Sequence, residues 1–250
     1  MAALGPRPVP HPTPMADRLD LQLISAALRR MGWVRFWAQL TLGVVVIGVL
    51  LFNNIGGRLA ANSSRALGLG HAVLCAEPLV NDEPFAVLLA DDLMCGPDAG
   101  PSVLGQMVEQ FASTPTCILA VQEVPRDHVK RYGIVAGEKA ADRLIKVDRM
   151  VEKPNPDEAP SRMGVAGRYI LTPGVFHEIA NQPRGVGGEI QLTDGIAGLL
   201  RREKVFAYRY EGKRYDCGSK EGFLEANVEL ALKHPQLGAG FREYLRGLEL

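Results

Sequence analysis

The chain has 250 residues, of which 47% are hydrophobic and 22% are charged. This composition is typical of globular proteins, and the length suits one large domain or a medium domain with an appendage. The 28 Lys and Arg residues equal the 28 Asp and Glu residues, so the overall charge gives no reason to expect a polyanionic partner such as a nucleic acid. The four cysteines lack C-x-x-C spacing, which argues against a zinc site or a disulfide framework and favours a reducing compartment.

The first fifteen residues hold five prolines and almost no charge. Such a segment cannot build a helix or a strand ladder, so we predict a disordered, proline-rich leader over residues 1–16. In the following segment, residues 17–65, apolar side chains recur at helical spacing between Asp17 and Arg30. This spacing predicts an amphipathic helix.

The run from Trp33 to Phe52 contains a single charged residue, Arg35. Its length is near that of a membrane-spanning helix, and aromatic residues at one end are typical of a membrane interface, so we predict a transmembrane helix here. A buried core helix is the alternative, because the most apolar part of the run is short. The flanking arginines favour a cytoplasmic N-terminus, which would place the rest of the chain outside the cytoplasm.

From residue 66 onward, short apolar runs alternate with amphipathic segments. The predicted strands are 85–90, 117–123, 133–135, 144–151, 168–171 and 205–210. The predicted helices are 72–79, 102–113, 174–181, 191–202, 220–234 and 240–248. Alternation of this kind, with fully apolar strands, predicts an α/β fold in which helices cover both faces of a mainly parallel sheet.

Two aspartates follow the first of these strands. Asp91 and Asp92 come directly after the strand over residues 85–90, where a carboxylate could hold Mg²⁺ together with phosphate oxygens. Capping of the next element explains one isolated aspartate equally well. Asp216, in the sequence RYDCG, could share a cation with Asp91, although the spacing does not require the two to meet.

Glu152 and Lys153 stand at the end of the strand over residues 144–151. Glu152 could accept hydrogen bonds from sugar hydroxyls, and Lys153 could supply a compact positive charge to a phosphate. Spacing alone favours the simpler interpretation of a solvent-exposed charge pair. Gly133, directly after Tyr132, could let a sugar lie close to the backbone, or could simply start a strand.

Two glycine-containing turns precede predicted helices. In GLGHAV, Gly68 and Gly70 could let a base or ribose approach bare backbone, although an ordinary helix-start turn is the simpler explanation. In GGEIQLTD, Glu189 could bind ligand hydroxyls or could favourably face the helix dipole.

Taken together and in this order, the segments GLGHAV, FAVLLADD, YGIV, VEKP, VAGRYIL, GGEIQLTD and YDCGSKEGF resemble the bacterial UTP–glucose-1-phosphate uridylyltransferase family. The resemblance covers Gly68 to Leu250, roughly three quarters of the chain. It implies a Rossmann-like nucleotide-diphospho-sugar transferase fold and a cytoplasmic location. It also implies that UTP and glucose 1-phosphate are converted, with Mg²⁺, to UDP-glucose and pyrophosphate.

The same resemblance implies roles for individual residues. Asp91 and Asp216 are implied as the Mg²⁺ ligands, and Asp91 and Lys153 as the catalytic residues. Lys153 is implied at a phosphate. The residues implied to bind the substrates are Gly68, Gly70, His71, Gly133, Glu152, Lys153 and Glu189.

One part of the family pattern has no counterpart before Gly68. The family begins with a strand and a glycine-rich phosphate-binding loop, so we predict that residues 66–250 form a partial, N-terminally truncated domain that is inactive by itself. The segment RRMGWVRFWAQLTLGVV instead faintly resembles small membrane proteins of photosynthetic lineages. The alternatives are a membrane-anchored, non-catalytic sugar-nucleotide-binding protein, or a chimeric gene product without function. The oligomeric state, a homo-oligomer included, is left open.

Overall fold

The computed structural model describes residues 43–47, 67–80 and 82–248. The predicted leader over residues 1–16, the predicted helix Asp17–Arg30 and most of the Trp33–Phe52 run lie outside the described residues.

Most of the described strands join one sheet. In chain order the strands are β1 Gly43–Ile47, β2 Phe85–Leu89, β3 Asp92–Cys95, β4 Cys117–Glu123, β5 Gly133–Lys139, β6 Leu144–Glu152, β7 Met163–Leu171, β8 Val205–Arg209 and β9 Lys213–Asp216. In the described part of the chain, seven strands form a sheet of order β1-β2-β7-β4-β8-β6-β5, with an additional β7–β5 pairing. The two remaining strands, β3 and β9, form a separate antiparallel ribbon.

Helices connect the strands and cover the sheet. They are α1 Leu69–Leu74, α2 Glu77–Val80, α3 Val103–Ser113, α4 Gly174–Asn181, α5 Leu192–Leu199, α6 Lys220–Lys233 and α7 Gly238–Arg246. Short 3₁₀ turns span Arg126–Arg131 and Val186–Gly188. Serine side chains cap two of the helices: Ser102 accepts a hydrogen bond from the Gly105 amide at 3.1 Å, and Ser219 accepts one from the Gly222 amide at 3.0 Å.

Apolar side chains fill both faces of the sheet. Successive residues of one strand point to opposite faces, so Ile118 packs in the layer that contains Met107 of α3, whereas Leu119 packs in the layer that contains Ile196 of α5. Both strand residues are fully buried. The prediction of an α/β fold covered on both faces is therefore confirmed.

The prediction of a mainly parallel sheet is wrong. Only the pairs β1–β2 and β4–β8 are parallel among the described strands, while β7 runs antiparallel between β2 and β4. Fully apolar strands arise whenever both faces are buried, whichever way neighbouring strands run. Their composition therefore indicated burial and not direction.

The prediction of a transmembrane helix is wrong at its centre. Gly43–Ile47 forms β1, which pairs in parallel with β2 and sets Val45 opposite Val87. Val and Ile are enriched in strands because their branched side chains fit a pleated surface. None of the helices in the described ranges has the length and apolar character needed to cross a bilayer.

Candidate functional site

The β3–β9 ribbon brings the two predicted metal ligands to one place. Asp92 pairs with Asp216 in the ladder, and the Cys217 amide donates a hydrogen bond to the Asp91 carbonyl at 2.7 Å. The position that a Cβ atom on Gly218 would occupy lies 3.1 Å from Asp91 Oδ2 and 3.3 Å from Asp216 Oδ1. The carboxylates of Asp91 and Asp216 therefore border the same small space.

This pair of carboxylates fits Mg²⁺ by its chemistry. Mg²⁺ prefers hard oxygen ligands and is usually bound by one or two carboxylates, with water and substrate phosphate filling the other positions. Across the described residues, no group of three or more His, Cys, Asp or Glu side chains is arranged to hold a metal. A cation at Asp91 and Asp216 would therefore need oxygen ligands from a substrate or from water.

Asp92, next in the chain to Asp91, is buried in a separate ion pair. Its carboxylate contacts the Arg214 guanidinium and accepts a 2.7 Å hydrogen bond from the Gly167 amide. Arg214 also donates to the Tyr132 hydroxyl at 3.0 Å. Burial alone would lower the pKa of Arg214, but Asp92 and Tyr132 raise this pKa above its ordinary value, so the guanidinium stays charged. Asp92 therefore anchors the ribbon to β7, and Asp91 is the aspartate that faces the shared space.

Arg131 forms an ion pair with Asp216. It ends the 3₁₀ turn before β5, and its Nη2 lies 2.9 Å from Asp216 Oδ2. The Arg131 side chain is 45% exposed and that of Asp216 28% exposed. This ion pair places a cation beside the predicted metal ligands.

A second cluster surrounds Glu152. Gly133 and Glu152 are ladder partners between β5 and β6, and the Glu152 side chain is only 9% exposed. A Cβ atom on Gly133 would lie 2.8 Å from Thr193 Oγ1 and 3.4 Å from Glu152 Oε2. The bare Gly133 backbone, a hydroxyl and a buried carboxylate therefore converge here, as the predicted sugar contacts require.

Lys153 lies at the edge of this cluster. Its Nζ is 3.2 Å from Glu152 Oε1, and its amide donates to the Tyr132 carbonyl at 3.0 Å. The backbone of Lys153 has φ 45°, a left-handed conformation that is uncommon and costs free energy for a residue other than glycine. The structure thus brings Lys153, Glu152 and Gly133 together.

Tyr169 is buried on β7, the strand whose Gly167 amide binds Asp92. It sits on β7, pairs with Val87 of β2 and Leu119 of β4, and is 7% exposed. Burial raises the pKa of Tyr169 above its ordinary value, and the charges of Asp92, Glu152 and Asp91 raise this pKa further. Hydrogen bonds through Tyr132 join the two clusters directly, because its hydroxyl accepts from Arg214 of the ribbon and its carbonyl accepts from the Lys153 amide, both at 3.0 Å.

The predicted nucleotide-side residues pack against the turn before α5. The Gly70 amide donates to the Ile190 carbonyl at 2.9 Å, and Cβ atoms on Gly68 and Gly70 would lie 2.7 Å from that same carbonyl oxygen. Gly68 also has φ 106°, which favours glycine. His71 follows in α1, with its ring nitrogens 3.9 Å from Cys75 Sγ. These contacts supply a packing reason for both glycines.

Glu189 is exposed in the same turn. Its Oε2 accepts a hydrogen bond from the Gln191 side chain at 3.0 Å. Gln191 in turn accepts, at its carbonyl, a 2.8 Å hydrogen bond from the Gln182 side chain. The glutamate is thus held near the start of α5, where the helix dipole favours a negative charge.

Sequence reasoning missed four residues of the site: Arg131, Thr193, Tyr169 and Arg214. Arg214 stood in a quoted motif, but its pairing with Asp92 depends on the register of two four-residue strands. Tyr169 and Thr193 occupy ordinary strand and helix positions. No spacing signal in the sequence distinguishes them.

Comparison with known proteins gives the family. The family model described as nucleotidyl transferase matches residues 55–233, more than half of the chain. The chain belongs to the nucleotidyl transferase family. A second model, described as a protein of unknown function (DUF3611), matches residues 18–77.

Similar nucleotidyl transferases share the described fold. The chain is 51% identical over 159 residues to the UTP–glucose-1-phosphate uridylyltransferase of Pseudomonas aeruginosa PAO1, covering 64% of this chain and 57% of that protein. A UDP-glucose pyrophosphorylase crystallised with UDP-glucose superposes with a TM-score of 0.66 at 43% identity, covering 68% of this chain and 64% of the other. A UTP-bound homologue from Acinetobacter baumannii gives a TM-score of 0.67 at 40% identity, with coverages of 74% and 64%. The chain thus spans less than two thirds of the length of each relative.

Proposed function

We propose that this nucleotidyl transferase is a UTP–glucose-1-phosphate uridylyltransferase that forms UDP-glucose and pyrophosphate. The observation that carries the proposal is the pair of clusters that Tyr132 joins by hydrogen bonds. One cluster offers a buried carboxylate and bare backbone for a sugar, and the other offers two carboxylates for a divalent cation. The relatives' uridylyltransferase and UDP-glucose pyrophosphorylase names support the same reaction.

The reaction is a phosphoryl-type transfer. A phosphate oxygen of glucose 1-phosphate attacks the α-phosphorus of UTP, a new P–O bond forms, the bond to the β-phosphate breaks, and pyrophosphate leaves with that electron pair. Such chemistry depends on positioning and on charge neutralisation more than on a protein nucleophile. The residues of the two clusters are suited to both tasks.

In this proposal the Glu152 cluster binds the glucose. Glu152 accepts hydrogen bonds from sugar hydroxyls, while Gly133 leaves room for the ring against the backbone. Thr193 supplies a hydroxyl to the same space. Glu189, which is exposed in the turn before α5, supplies a further hydrogen-bond acceptor for the sugar.

Lys153 and the ribbon carboxylates handle the phosphates. Lys153 is held beside Glu152 and points a positive charge toward the phosphate of the sugar. Asp91 and Asp216 would hold Mg²⁺, which supplies charge neutralisation for the phosphates when bound. Gly68, Gly70 and His71 form the uridine side. Because UTP is the substrate, we place this activity in the cytoplasm.

The alternative of a membrane-anchored protein has lost the predicted transmembrane helix on which it was based. It rested on a helix over Trp33–Phe52, whose centre is the strand β1. The family's glycine-rich phosphate-binding loop has no counterpart before Gly68, so inactivity of residues 66–250 by themselves stays a prediction, and product formation by the full chain decides between it and the proposed activity.

Product formation tests the proposal. The full chain is incubated with UTP, glucose 1-phosphate and Mg²⁺, and UDP-glucose is quantified by chromatography. We expect UDP-glucose to form, and we expect Asp216→Asn to lower the rate by at least about 100-fold, because loss of one ligand removes charge neutralisation at the transferring phosphate.

Asp98→Asn is the matched control, because its side chain is 94% exposed and lies outside both clusters. This variant should keep the rate of the wild type. If the wild type forms no UDP-glucose but binds it in calorimetry, the chain is a non-catalytic binding protein and the proposal is wrong. Absence of both activity and binding would exclude the sugar-nucleotide assignment altogether.

A further inference from the structure

Arg131 forms an ion pair with Asp216, one of the two predicted metal ligands. Resting on the proposed function, we infer that Arg131 couples the divalent cation to the nucleotide. It holds Asp216 and lowers the affinity of the site for a divalent cation in the absence of nucleotide. When the uridine nucleotide binds, Arg131 binds its polyphosphate. The sequence resemblance assigned no role to this residue.

The geometry of Asp216 supports both functions of Arg131. Arg131 Nη2 binds Asp216 Oδ2 at 2.9 Å, whereas Asp216 Oδ1 is the oxygen near the space shared with Asp91. The guanidinium therefore leaves the metal-facing oxygen accessible. It still places a positive charge within a few ångströms of any cation bound there.

Coulomb repulsion determines the direction in which Arg131 changes the affinity of the site for a divalent cation. A guanidinium beside a carboxylate lowers the affinity of that carboxylate for a second cation, and the effect at a partly exposed site is modest. A polyphosphate brings several negative charges, which attract the arginine and the divalent cation together. Arg131 thus favours the cation and nucleotide as a pair over the cation alone.

The position of Arg131 also suits phosphate binding. It is 45% exposed, and a guanidinium has five N–H donors, which match phosphate oxygens in a fixed planar arrangement. Two residues further along the chain lies Gly133, which faces Glu152 in the ladder. Arg131 therefore stands between the cluster that binds the sugar and the carboxylates that hold the cation, where the phosphates of a sugar nucleotide would lie.

Arg126 provides a matched control within the same turn. It opens the 3₁₀ turn that Arg131 closes, and it also forms one exposed ion pair, with Asp157 at 2.7 Å. Asp157 belongs to neither cluster. Replacing Arg126 changes the net charge and removes a surface ion pair just as replacing Arg131 does. A difference in binding between the two variants therefore reports the position of Arg131 beside Asp216.

The test uses two titrations of the full chain and of the variants Arg131→Met, Arg131→Lys and Arg126→Met. Mn²⁺ alone is titrated, with free Mn²⁺ measured by electron paramagnetic resonance. UTP is titrated by calorimetry in EDTA, without divalent cations. We expect Arg131→Met to bind Mn²⁺ about two- to fivefold more tightly and UTP about tenfold more weakly. Arg131→Lys should lie between these values and the wild type, and Arg126→Met should match the wild type.

Several results would overturn the inference. Mn²⁺ affinity that is unchanged or weaker in Arg131→Met would show that the arginine only orients Asp216, and unchanged UTP affinity would show that it does not bind phosphate. A wild type that binds neither probe contradicts it as well. If Arg131→Met binds Mn²⁺ more tightly and UTP more weakly, but the wild type forms no UDP-glucose, the inference is supported and the proposed reaction is refuted.

Discussion

Neighbouring acidic residues of the site differ in what surrounds them. Asp91 is exposed and borders the space shared with Asp216, whereas Asp92 is buried against Arg214 and the Gly167 amide. Alternation along the backbone sends consecutive side chains to opposite sides. A buried ion pair adds less to stability than its Coulomb energy suggests, because both charges lose water. Its role here is to fix the ribbon that carries Asp91 and Asp216.

Asp194 is a residue whose charge opposes folding. Burial raises its pKa, and the Glu152 carboxylate raises this pKa further. A folded-state pKa above the unfolded value gives stability that is present below the unfolded pKa and lost as pH rises through the folded pKa. At pH 7 the ionised Asp194 therefore lowers the free energy of unfolding.

Asp194→Asn should remove this effect without changing shape. We expect the variant to gain stability relative to the wild type at pH 7, by about 0.5 kcal/mol or less because the half-exposed site is screened. The gain should shrink or vanish at pH 3.5, where Asp194 is protonated. Urea unfolding at both pH values measures the difference. Asp148→Asn, which removes an exposed carboxylate of β6, is the control, and an equal gain at both pH values would contradict the prediction.

At the scale of elements, segments with a sustained apolar pattern were predictable, and the four-residue strands were not. The strand Cys117–Glu123 and the helix Gly174–Asn181 match their predicted ranges, because a sustained apolar pattern defines each. The four-residue strands β3 and β9 were missed. Their sequences, DLMC and KRYD, are too short for a period to emerge, and only pairing with each other forms them.

This omission limited what could be said of the site. Asp91 and Asp216 were each proposed from local sequence, yet their meeting depends on the β3–β9 ladder. Glu152 and Gly133 were also each proposed, and the β5–β6 ladder pairs them. The sequence therefore proposed individual candidates and a possible meeting of Asp91 with Asp216, while long-range register decides which of these residues lie together.

The contact between β5 and α5 yields a prediction for Gly133. A Cβ atom there would lie 2.8 Å from Thr193 Oγ1, closer than van der Waals contact allows, so Gly133→Ala should lower the free energy of unfolding by about 1–3 kcal/mol. Adding Thr193→Ala should recover at least about 1 kcal/mol of this loss, because the clash is with the threonine side chain.

Urea unfolding of both single variants and the double variant measures this coupling. Gly240→Ala in α7 is the control, because nothing lies within 4 Å of its Cβ position. Alanine is the better helix former, so this variant should be neutral or more stable by up to about 1 kcal/mol. Additive losses in the double variant would show that the two residues do not crowd each other.

At the scale of the whole molecule, the site draws on segments far apart in the chain. The turn around Gly68 and Gly70, the ribbon, the β5–β6 pair and the start of α5 all contribute, and β7 joins this framework by pairing with β2, β4 and β5. A ligand that contacts all of these segments binds the folded state alone. It should therefore raise the temperature of global unfolding by mass action.

UDP-glucose should stabilise the full chain in a thermal unfolding experiment with Mg²⁺. At 100 times its dissociation constant the expected gain is about 2.7 kcal/mol, or roughly 5–10 °C in the midpoint of unfolding. At one common concentration of each ligand, UMP should give a smaller shift, because it lacks the glucose phosphate that the proposal assigns to Glu152 and Lys153. The Glu152→Gln variant should narrow the difference between the two ligands, since one proposed contact to the glucose is gone. Glu138→Gln, an exposed position on β5, should keep the wild-type difference between UDP-glucose and UMP. If the Glu152 variant still distinguishes the two ligands as the wild type does, the glucose lies elsewhere in the fold.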